Sequence, residues 1–503
     1  MKRIISFLKT DVKIINSYFL LAVIFIILIS IGYSSYALFS FTKTSTNIIE
    51  ATVGKLKNNI DTSGANSPVL ASNMIPVYYD EINNVWKKAD VNNKDSSYQW
   101  YSYNSTGDKK GMWANAVTVK DTNRQTYLNA TPGTIIPMDD INTMWVWIPR
   151  FKVNTTDFTL IRGKDSGYCL EDGEGRTTNT KEECEKLGSG IYWVSHYKNP
   201  GAIDVTFVKE NEKAIDSFTF GTKELSGFWY AKFATSHSTL SSSTTDNNLG
   251  CINETCSNAN GIIIKPNVTS LRYNNISNFF YASRSMEQTG NSFGFVSSEV
   301  DTQMSKNNEW GAVAYLTQSI YGRCTNSTTC TEVGINNNSS YITGYGAPAG
   351  SSSSVTNGTY NTSLGKEAST TGTIYGIYDM SGGANEYVMG VFADTNGKPR
   401  SGYNSSDNSG FTGMLKDGTT YTGITFPDSK YYNLYTGSSY TGHALTERKN
   451  WYSDITYFVK SGNPWFQRGG SFVNSTDAGV FYFSSVSGYS NAVVSSRLVI
   501  SNK

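Results

Sequence analysis

The sequence predicts an α+β fold in which short aromatic strands carry long polar loops and one amphipathic helix. Two runs, Met144–Phe151 and Gly227–Phe233, are rich in aromatic residues, and the first alternates aromatic with aliphatic residues, which is typical of strands. The segment 305–322 instead has its apolar residues near helical spacing, and Asn307 or Asn308 can cap its start. One helix among many strands and long loops indicates a domain whose loops carry the function.

The composition excludes two classes of protein. The 503 residues include 42 Lys+Arg and 41 Asp+Glu, a formal net charge of +1, so the strong basic excess of a nucleic-acid-binding protein is missing. Three histidines, His196, His237 and His443, lie far apart and form neither an HxxxH nor an HExxH motif. Zinc hydrolases and His-based iron enzymes are therefore poor matches. Aromatic residues reach 13%, enough for an aromatic core under an uncharged polar surface.

The amino-terminal residues predict a membrane anchor. A basic segment, 1–17, precedes an apolar run, 18–40, which is long enough to cross a bilayer as one helix of ~20 residues. Because the positive flank stays in the cytoplasm, we expect a single-pass cell-membrane protein with its bulk outside the cell. The alternative is a signal peptide cleaved near the small residues 34–37, which would release a secreted protein.

Three regions follow the predicted anchor. Residues 41–72 are polar and predict a stalk. Residues 73–138 contain short runs of aromatic and β-branched residues separated by turn residues, which predict a small β-rich module. Residues 139–503 form the main domain, interrupted by an Asn/Ser/Thr/Gly-rich stretch at 331–372.

The cysteines predict disulfides in an oxidising compartment. They form three sequence-local couples in polar, glycine-rich stretches, and no CxxC motif supports the alternative of metal-thiolate binding. Sequence alone does not prove the pairing. The couples are Cys169/Cys184, Cys251/Cys256 and Cys324/Cys330.

Four motifs in the main domain resemble those of one family. Gly376–Tyr387 resembles the G-L-Y-D-M-x-G-N-V-W-E-W signature of the formylglycine-generating enzyme (sulfatase-modifying factor) family. Arg468–Phe472 resembles its R-G-G-S-W motif, Ser496–Val499 falls where G-F-R-x-V closes the domain, and Asn308–Trp310 with its helix resembles E-x-E-W-E-Y-A. The resemblance covers about 142–503 and implies a variant of the C-type lectin fold with long loops.

The resemblance also implies a calcium site, because hard oxygen ligands are what calcium prefers. Its ligands would be the side chains of Asp379 and Glu386 and the main-chain carbonyls of Gly382 and Ala384. The residues themselves leave another interpretation open. Asp379 can cap a turn, and Glu386 can pair with a buried arginine such as Arg468 or Arg497.

The Arg468-Gly469-Gly470 motif predicts a strand that enters a tight turn. Gly469 and Gly470 permit a close backbone approach or a positive φ. We expect structural roles for these glycines and for Arg468 and Arg497, with each arginine holding core carbonyls or a carboxylate. A positive charge on a binding surface is the alternative for Arg468.

The departures from the family matter more than the matches. The formylglycine-generating enzyme needs a pair of copper-binding cysteines after its R-G-G-S motif, and this chain has no cysteine after Cys330. Without a thiolate there is no soft ligand for Cu(I), so we expect no oxidase activity. The related ergothioneine-type sulfoxide synthases need an iron site of histidines, which three dispersed histidines do not supply.

The segment after Arg468 has the Tyr, Ser, Asn and Gly composition of adaptable binding loops. It resembles the carboxy-terminal region of ligand-binding members of the same fold, including the variable proteins of diversity-generating retroelements. We expect Phe481 and Phe483 to be core residues of a closing strand. The residues predicted to be exposed and to bind ligand are Asn474, Ser475, Tyr482, Ser484, Ser487, Tyr489 and Asn491.

These observations predict a membrane-anchored extracellular binding or display protein whose ligand is a protein or glycan at the cell surface. One alternative is an enzyme of the sulfatase-modifying factor family with an atypical site built from Asp379, Glu386 and loop carboxylates. Another is a structural component of the cell surface. A Tyr/Ser/Asn surface near residues 470–497 would favour binding, whereas carboxylates converging in a deep pocket would favour the enzyme.

Overall fold

The structure is a computed structural model. It describes residues 60–155, 165–171, 174–176, 180–187, 191–197, 199–240, 249–252, 255–400, 411, 415–417, 420–422, 426–437, 440–448 and 451–503. The chain divides into two units, Met1–Asn59 and Ile60–Lys503, and all described residues belong to the second unit.

The predicted cytoplasmic segment 1–17, the anchor 18–40 and the stalk as far as residue 59 lie outside the described residues, so these stay predictions. No helix in the described part of the chain combines the length and the hydropathy that crossing a bilayer requires.

The described chain is mostly sheet with few helices. Its strands are β1 (Ile75–Asp80), β2 (Val85–Lys88), β3 (Asn115–Val119), β4 (Ile141–Pro149), β5 (Phe151–Val153), β6 (Asp165–Glu171), β7 (Glu174–Arg176), β8 (Ile191–Tyr197), β9 (Val205–Phe207), β10 (Thr219–Phe220), β11 (Lys223–Glu224), β12 (Gly227–Ala231), β13 (Ser236–His237), β14 (Cys251–Ile252), β15 (Thr255–Cys256), β16 (Ile262–Ile263), β17 (Val300–Met304), β18 (Asn385–Phe392), β19 (Leu415–Asp417), β20 (Thr420–Thr422), β21 (Asn433–Tyr435), β22 (Trp465–Gly469), β23 (Gly479–Val486), β24 (Val494–Ser496) and β25 (Leu498–Asn502). Its α-helices are α1 (Asp121–Asn129), α2 (Lys181–Glu185), α3 (Ile276–Ser285), α4 (Asn307–Thr317) and α5 (Ser363–Glu367).

A seven-stranded antiparallel sheet forms the centre of the unit, in the order β17-β25-β12-β4-β3-β1-β2. The two predicted aromatic strands are confirmed as β4 and β12, which pair directly from Gly227↔Pro149 to Ala231↔Trp145. Glycine is required at position 227 in this strand pair, since a Cβ there would lie 2.4 Å from the Trp147 ring.

The structure differs from the sequence prediction in where it places residues 73–138. These residues supply β1, β2 and β3 to the same sheet as β4, so they do not form a sheet of their own. Residues 60–72, predicted as stalk, also pack against the unit. Asn66 donates hydrogen bonds from Nδ2 to the carbonyls of Val208 and Ser226, at 2.9 and 3.0 Å, and Ala71 is buried.

A second sheet carries most of the sequence motifs. Its order is β21-β18-β22-β23, and β24 pairs with β18 in parallel. Glu386 lies on β18 opposite Arg468 on β22. Seven of the eight residues of β18 are buried, because neighbouring strands and α4 cover it.

The predicted helix at 305–322 is confirmed as α4, but it ends at Thr317 and its cap differs from the prediction. Lys306 is the N-cap residue, and its backbone N–H donates to Glu309 Oε2 at 2.7 Å, as in a capping box. Asn307 and Asn308 therefore lie inside the helix, where both are buried.

Candidate ligand-binding surface

Asp379 caps the loops around it. It is buried, with a φ of 62°, and its Oδ1 accepts hydrogen bonds of 2.8 Å from Asn336 Nδ2 and from the Gly344 N–H. Its Oδ2 accepts one of 3.2 Å from the Ala234 N–H. Burial raises the pKa of Asp379, and the nearby Arg497 opposes the rise.

Glu386 is paired with Arg497 in the core, and neither side chain is exposed. Arg497 Nε lies 2.7 Å from Oε2 and Nη2 lies 2.5 Å from Oε1, so the contact is bidentate. The same guanidinium donates to the carbonyls of Ala231 and Tyr378 at 2.8 Å. Burial raises the pKa of Glu386 to about 7, and Arg497 limits the rise.

Arg468 holds core carbonyls and an amide, one of the structural roles predicted for it. It is fully buried and donates to Asn307 Oδ1 at 3.1 Å and to the Ala444 carbonyl at 3.0 Å. Burial lowers its pKa to about 9, helped by the like charge of Arg448. Gly469 and Gly470 both have positive φ, at 84° and 71°, as the motif predicts.

The groups around these two carboxylates are hydrogen-bond donors and a cation, which stabilise the negative charge of the carboxylates themselves. Asp379 is met by N–H donors and Glu386 by a guanidinium, and a cation at Glu386 would be repelled by Arg497. Gly382 and Ala384 lie in the buried turn between them. The residues as arranged therefore do not fit calcium. Calcium binding stays a prediction, and it can be tested by measuring thermal stability during a calcium titration. Nowhere in the described part do three His, Cys, Asp or Glu side chains converge as metal ligands would.

Two of the predicted disulfides are formed, Cys251–Cys256 and Cys324–Cys330. Cys184 is also disulfide-bonded, whereas the side chain of Cys169 lies outside the described residues. No described cysteine is a free thiol, so none supplies a thiolate for a metal.

The structure divides the predicted binding segment into a buried strand and an exposed part. On β23, Phe481 and Phe483 are buried as predicted, but Tyr482 is only 4% exposed and Ser487, just after the strand, 8%. The predicted exposure is wrong for these two residues, and in Tyr482 the ring packs close to Gly470. Ser484 lines a depression of about 570 Å³ elsewhere on the molecule.

The exposed part of the segment is organised around Tyr341. The Phe472 ring meets the Tyr341 ring edge-on, with centroids 5.0 Å apart. The guanidinium of Arg272 also lies over the Tyr341 ring, 3.7 Å from its centroid. This distance is close enough for a cation–π interaction. Three residues distant in sequence thus form one stack.

This stack joins both halves of the segment. Arg272 Nη1 donates to the carbonyl of Ala492, and the Tyr273 N–H donates to the Asn491 carbonyl at 3.0 Å. In the first half, Ser475 Oγ donates to the Gly350 carbonyl at 2.8 Å. The loop 472–477 and the loop 487–493 are therefore each bonded to neighbouring segments that the rest of the domain positions.

We call this region the Tyr341 surface. Val473 is 67% exposed and Tyr489 is 44% exposed, so both side chains are open to solvent. Ser475 has φ 51° and ψ −115°, a strained conformation for a residue other than glycine, and such strain concentrates at ligand sites. Arg272, only 6% exposed, supports this surface from within the fold. The other members of the surface are Tyr341, Phe472, Val473, Asn474, Ser475, Tyr489 and Asn491.

Sequence reasoning missed Arg272 and Tyr341. Tyr341 lies in the Asn/Ser/Thr/Gly-rich stretch 331–372, and Arg272 is far from any motif. Neither position carries a local signal, because the stack exists only after the loops have come together.

Comparisons with known proteins establish no family. No protein-family model matches the chain, and no curated protein matches it. Among solved structures, the chain is similar to the "Major Tropism Determinant U1 Variant" with a TM-score of 0.21 and 13% identity, covering 88% of this chain and 96% of that chain. The "Major Tropism Determinant I1 Variant" gives a TM-score of 0.20 at the same identity and coverage. Scores of this size do not define a shared fold, so the resemblance to the formylglycine-generating enzyme family rests on its motifs.

Proposed function

We propose that the chain is an extracellular binding or display protein, anchored in the cell membrane through residues 18–40, and that it recognises a protein or glycan with the Tyr341 surface. The observation that supports the proposal is the Phe472–Tyr341–Arg272 stack, which contacts both loops that carry predicted binding residues.

The chemistry of the surface supports recognition. Tyrosine offers a large contact area for little loss of side-chain entropy, and serine and asparagine supply adaptable hydrogen bonds. Loops that are already bonded to their neighbours lose less conformational freedom when a ligand binds. Tyr489 and Val473 would provide the apolar contacts. The Oδ1 atoms of Asn474 and Asn491 accept hydrogen bonds from Ser471 and Val493, so these residues would offer their Nδ2 donors to a ligand.

The contacts of the two buried carboxylates agree with a lectin-like domain that has no catalytic role. The carboxylates from which an atypical enzyme site would be built, Asp379 and Glu386, are buried and bonded to Asn336, Gly344 and Arg497. They therefore act within the core, where a substrate does not reach them. Oxidation of a cysteine-containing sulfatase peptide by the purified chain would overturn this part of the proposal.

The direct test is a binding screen of the full chain against defined panels of cell-surface glycans and purified surface proteins. For a ligand found in this way, we expect Tyr489→Ala to weaken binding at least about tenfold, which corresponds to about 1.4 kcal/mol. Tyr457→Ala is the matched control, because Tyr457 is also exposed, at 64%, but lies outside the Tyr341 surface. Equal losses in both variants, or none in Tyr489→Ala, would contradict the assignment of the surface.

A further inference from the structure

The outer edge of the second sheet is only partly covered. β23 is the last strand on this side of the sheet, and residues 455–457 lie along its outer edge. The Phe483 N–H donates to the Ile455 carbonyl at 3.0 Å, and the Tyr457 N–H donates to the Phe483 carbonyl at 2.9 Å. Both backbone groups of Phe483 therefore point away from β22.

Ser485 is the next residue of β23 whose backbone groups face outward, because these groups alternate between the two sides of a strand. It lies opposite Phe466 of β22 without exchanging hydrogen bonds with it, as Phe483 does opposite Arg468. Within the described part of the chain, neither the N–H nor the carbonyl of Ser485 has a partner, and the residue is partly exposed. One donor and one acceptor are therefore open on the edge.

The neighbouring segment turns away after Tyr457 because Phe458 packs on other rings. The Phe458 ring meets those of Tyr435 and Phe466 edge-on, with centroids 5.8 and 5.2 Å apart. Lys460 and Asn463 then close a tight turn through two backbone hydrogen bonds, of 3.2 and 3.0 Å. Ring packing and this turn keep residues 458–463 away from Ser485.

The gap that results is the depression of about 570 Å³ that Ser484 lines. Ser485 and residues 456–458 line it too. The lining groups are accessible, since Tyr457 is 64% exposed and both serines are partly exposed. A ligand in the depression can therefore reach the strand edge and an aromatic side chain together.

The charge of the depression is positive. Lys460 is the only charged residue among the described residues that line it, and the others carry hydroxyl groups, an amide or aromatic rings. The Lys460 side chain is exposed and forms no ion pair with any residue that the structure describes. Complementary charge therefore favours an occupant with a carboxylate.

We propose that this depression binds an extended peptide segment of a partner protein, and that the segment carries an acidic side chain. A peptide carbonyl accepts from the Ser485 N–H, and a peptide N–H donates to the Ser485 carbonyl, so the peptide continues the line of residues 455–457 along β23. Lys460 binds the carboxylate, and the Tyr457 ring packs on the peptide. The site shares no residue with the Tyr341 surface.

A phage-displayed library of short linear peptides, selected on the full chain, provides the probe. We expect the selected peptides to be enriched in Asp and Glu, and a labelled synthetic copy of the most enriched one to bind the full chain in fluorescence anisotropy. A strand on a sheet edge uses the amides of alternate residues only. Methylating one alternate set of peptide amide nitrogens should therefore abolish binding, whereas methylating the other set should not.

Two variants of one residue test the edge itself. Ser485→Pro removes the outward N–H without breaking a hydrogen bond to β22. We expect it to weaken peptide binding at least about tenfold, because the peptide carbonyl loses its donor. Ser485→Ala is the matched control, since it keeps the N–H and should bind as the natural chain does. If Ser485→Pro melts far below Ser485→Ala, the two methylated peptides decide the question on the natural chain.

The other outcomes are distinct. Failure to enrich any peptide, equal affinity in folded Ser485→Pro and Ser485→Ala, or equal binding of both methylated peptides would overturn the proposal. Dimerisation of the natural chain that Ser485→Pro abolishes would also overturn it, since the edge would then pair with a second copy. Tyr489→Ala should bind the selected peptide as the natural chain does. A loss there would instead place the peptide on the Tyr341 surface, so the two sites are tested separately.

Discussion

Asp454 illustrates how burial sets the charge of a single carboxyl in this core. It is 3% exposed, its Oδ2 accepts a hydrogen bond of 2.9 Å from the Phe481 N–H, and burial raises its pKa to about 8. In the unfolded chain the same group has a pKa of about 4. Between these values the folded protein holds a proton that the unfolded chain has lost, so rising pH destabilises the fold.

We therefore expect Asp454→Asn, which mimics the protonated carboxyl, to flatten the fall in stability between pH 5 and pH 8. The largest slope removed is about 1.4 kcal/mol per pH unit. Melting temperatures at four pH values in this range would measure it. Asp80→Asn is the control, because Lys87 at 2.7 Å holds the pKa of Asp80 below its usual range, so Asp80 does not titrate there. A slope that is the same in Asp454→Asn and the natural chain would contradict the assignment.

Ser475 permits a test of strain on the Tyr341 surface. Glycine adopts its φ of 51° and ψ of −115° more readily, whereas both glycine and alanine remove the hydroxyl that binds Gly350. We expect Ser475→Gly to be more stable than Ser475→Ala by about 1 kcal/mol or more, measured by chemical denaturation. Equal stability of the two variants would show that the backbone at this position is relaxed.

At the scale of elements, Arg497 joins the two sheets. It stands between β24, which pairs with β18 of the second sheet, and β25, which lies within the central sheet. Its guanidinium binds Glu386 on β18 and the carbonyl of Ala231 on β12. One side chain thus bonds to strands of both sheets where the chain passes from one to the other.

Removing Arg497 would leave the carboxylate of Glu386 buried and uncompensated. We expect Arg497→Ala to lower the free energy of unfolding by about 3–5 kcal/mol, measured by chemical denaturation. The control is Glu81→Ala, which removes the exposed pair between Lys366 Nζ and Glu81 Oε1 at 3.2 Å and should cost at most about 1 kcal/mol. A loss for Arg497→Ala no greater than for the control would mean that the joint contributes little.

Elements with a strong local pattern could be predicted from sequence, and those decided by packing could not. The strands β4 and β12, the helix α4 and the positive φ of Gly469 and Gly470 follow from alternation, periodicity and glycine pairs. The burial of Tyr482 could not be read in this way, because the tertiary contacts that cover its ring, including the one with Gly470, exist only in the folded chain.

The binding surface shows the same limit at the scale of the whole molecule. Composition predicted a binding role for the last segment, but Arg272 and Tyr341, which contact its two loops, come from other parts of the chain. A single sequence does not reveal such distant contacts. They arise when a domain with long loops folds, and only then do separate polar stretches become one surface.

The first residues of the compact unit give a test at this scale. Because Asn66 bonds to Val208 and Ser226 and Ala71 is buried, we expect a fragment of residues 60–503 to melt as the full chain does. A fragment of residues 73–503 should melt several degrees lower, since it loses these contacts. Differential scanning calorimetry of both fragments would check this. Equal melting temperatures of the two fragments would show that residues 60–72 do not stabilise the unit, as expected of the predicted stalk.

The position of β25 means that the central sheet can be completed only after the end of the chain has been synthesised. It lies between β12 and β17, pairing Trp229 with Ile500 and Val300 with Asn502. Translation proceeds from the amino terminus, so residues 498–502 are synthesised after the other strands of this sheet. Until then, one edge of β12 has no partner strand. Open edges of this kind invite pairing with other chains. A chain cut just before β25 is therefore at risk of aggregation.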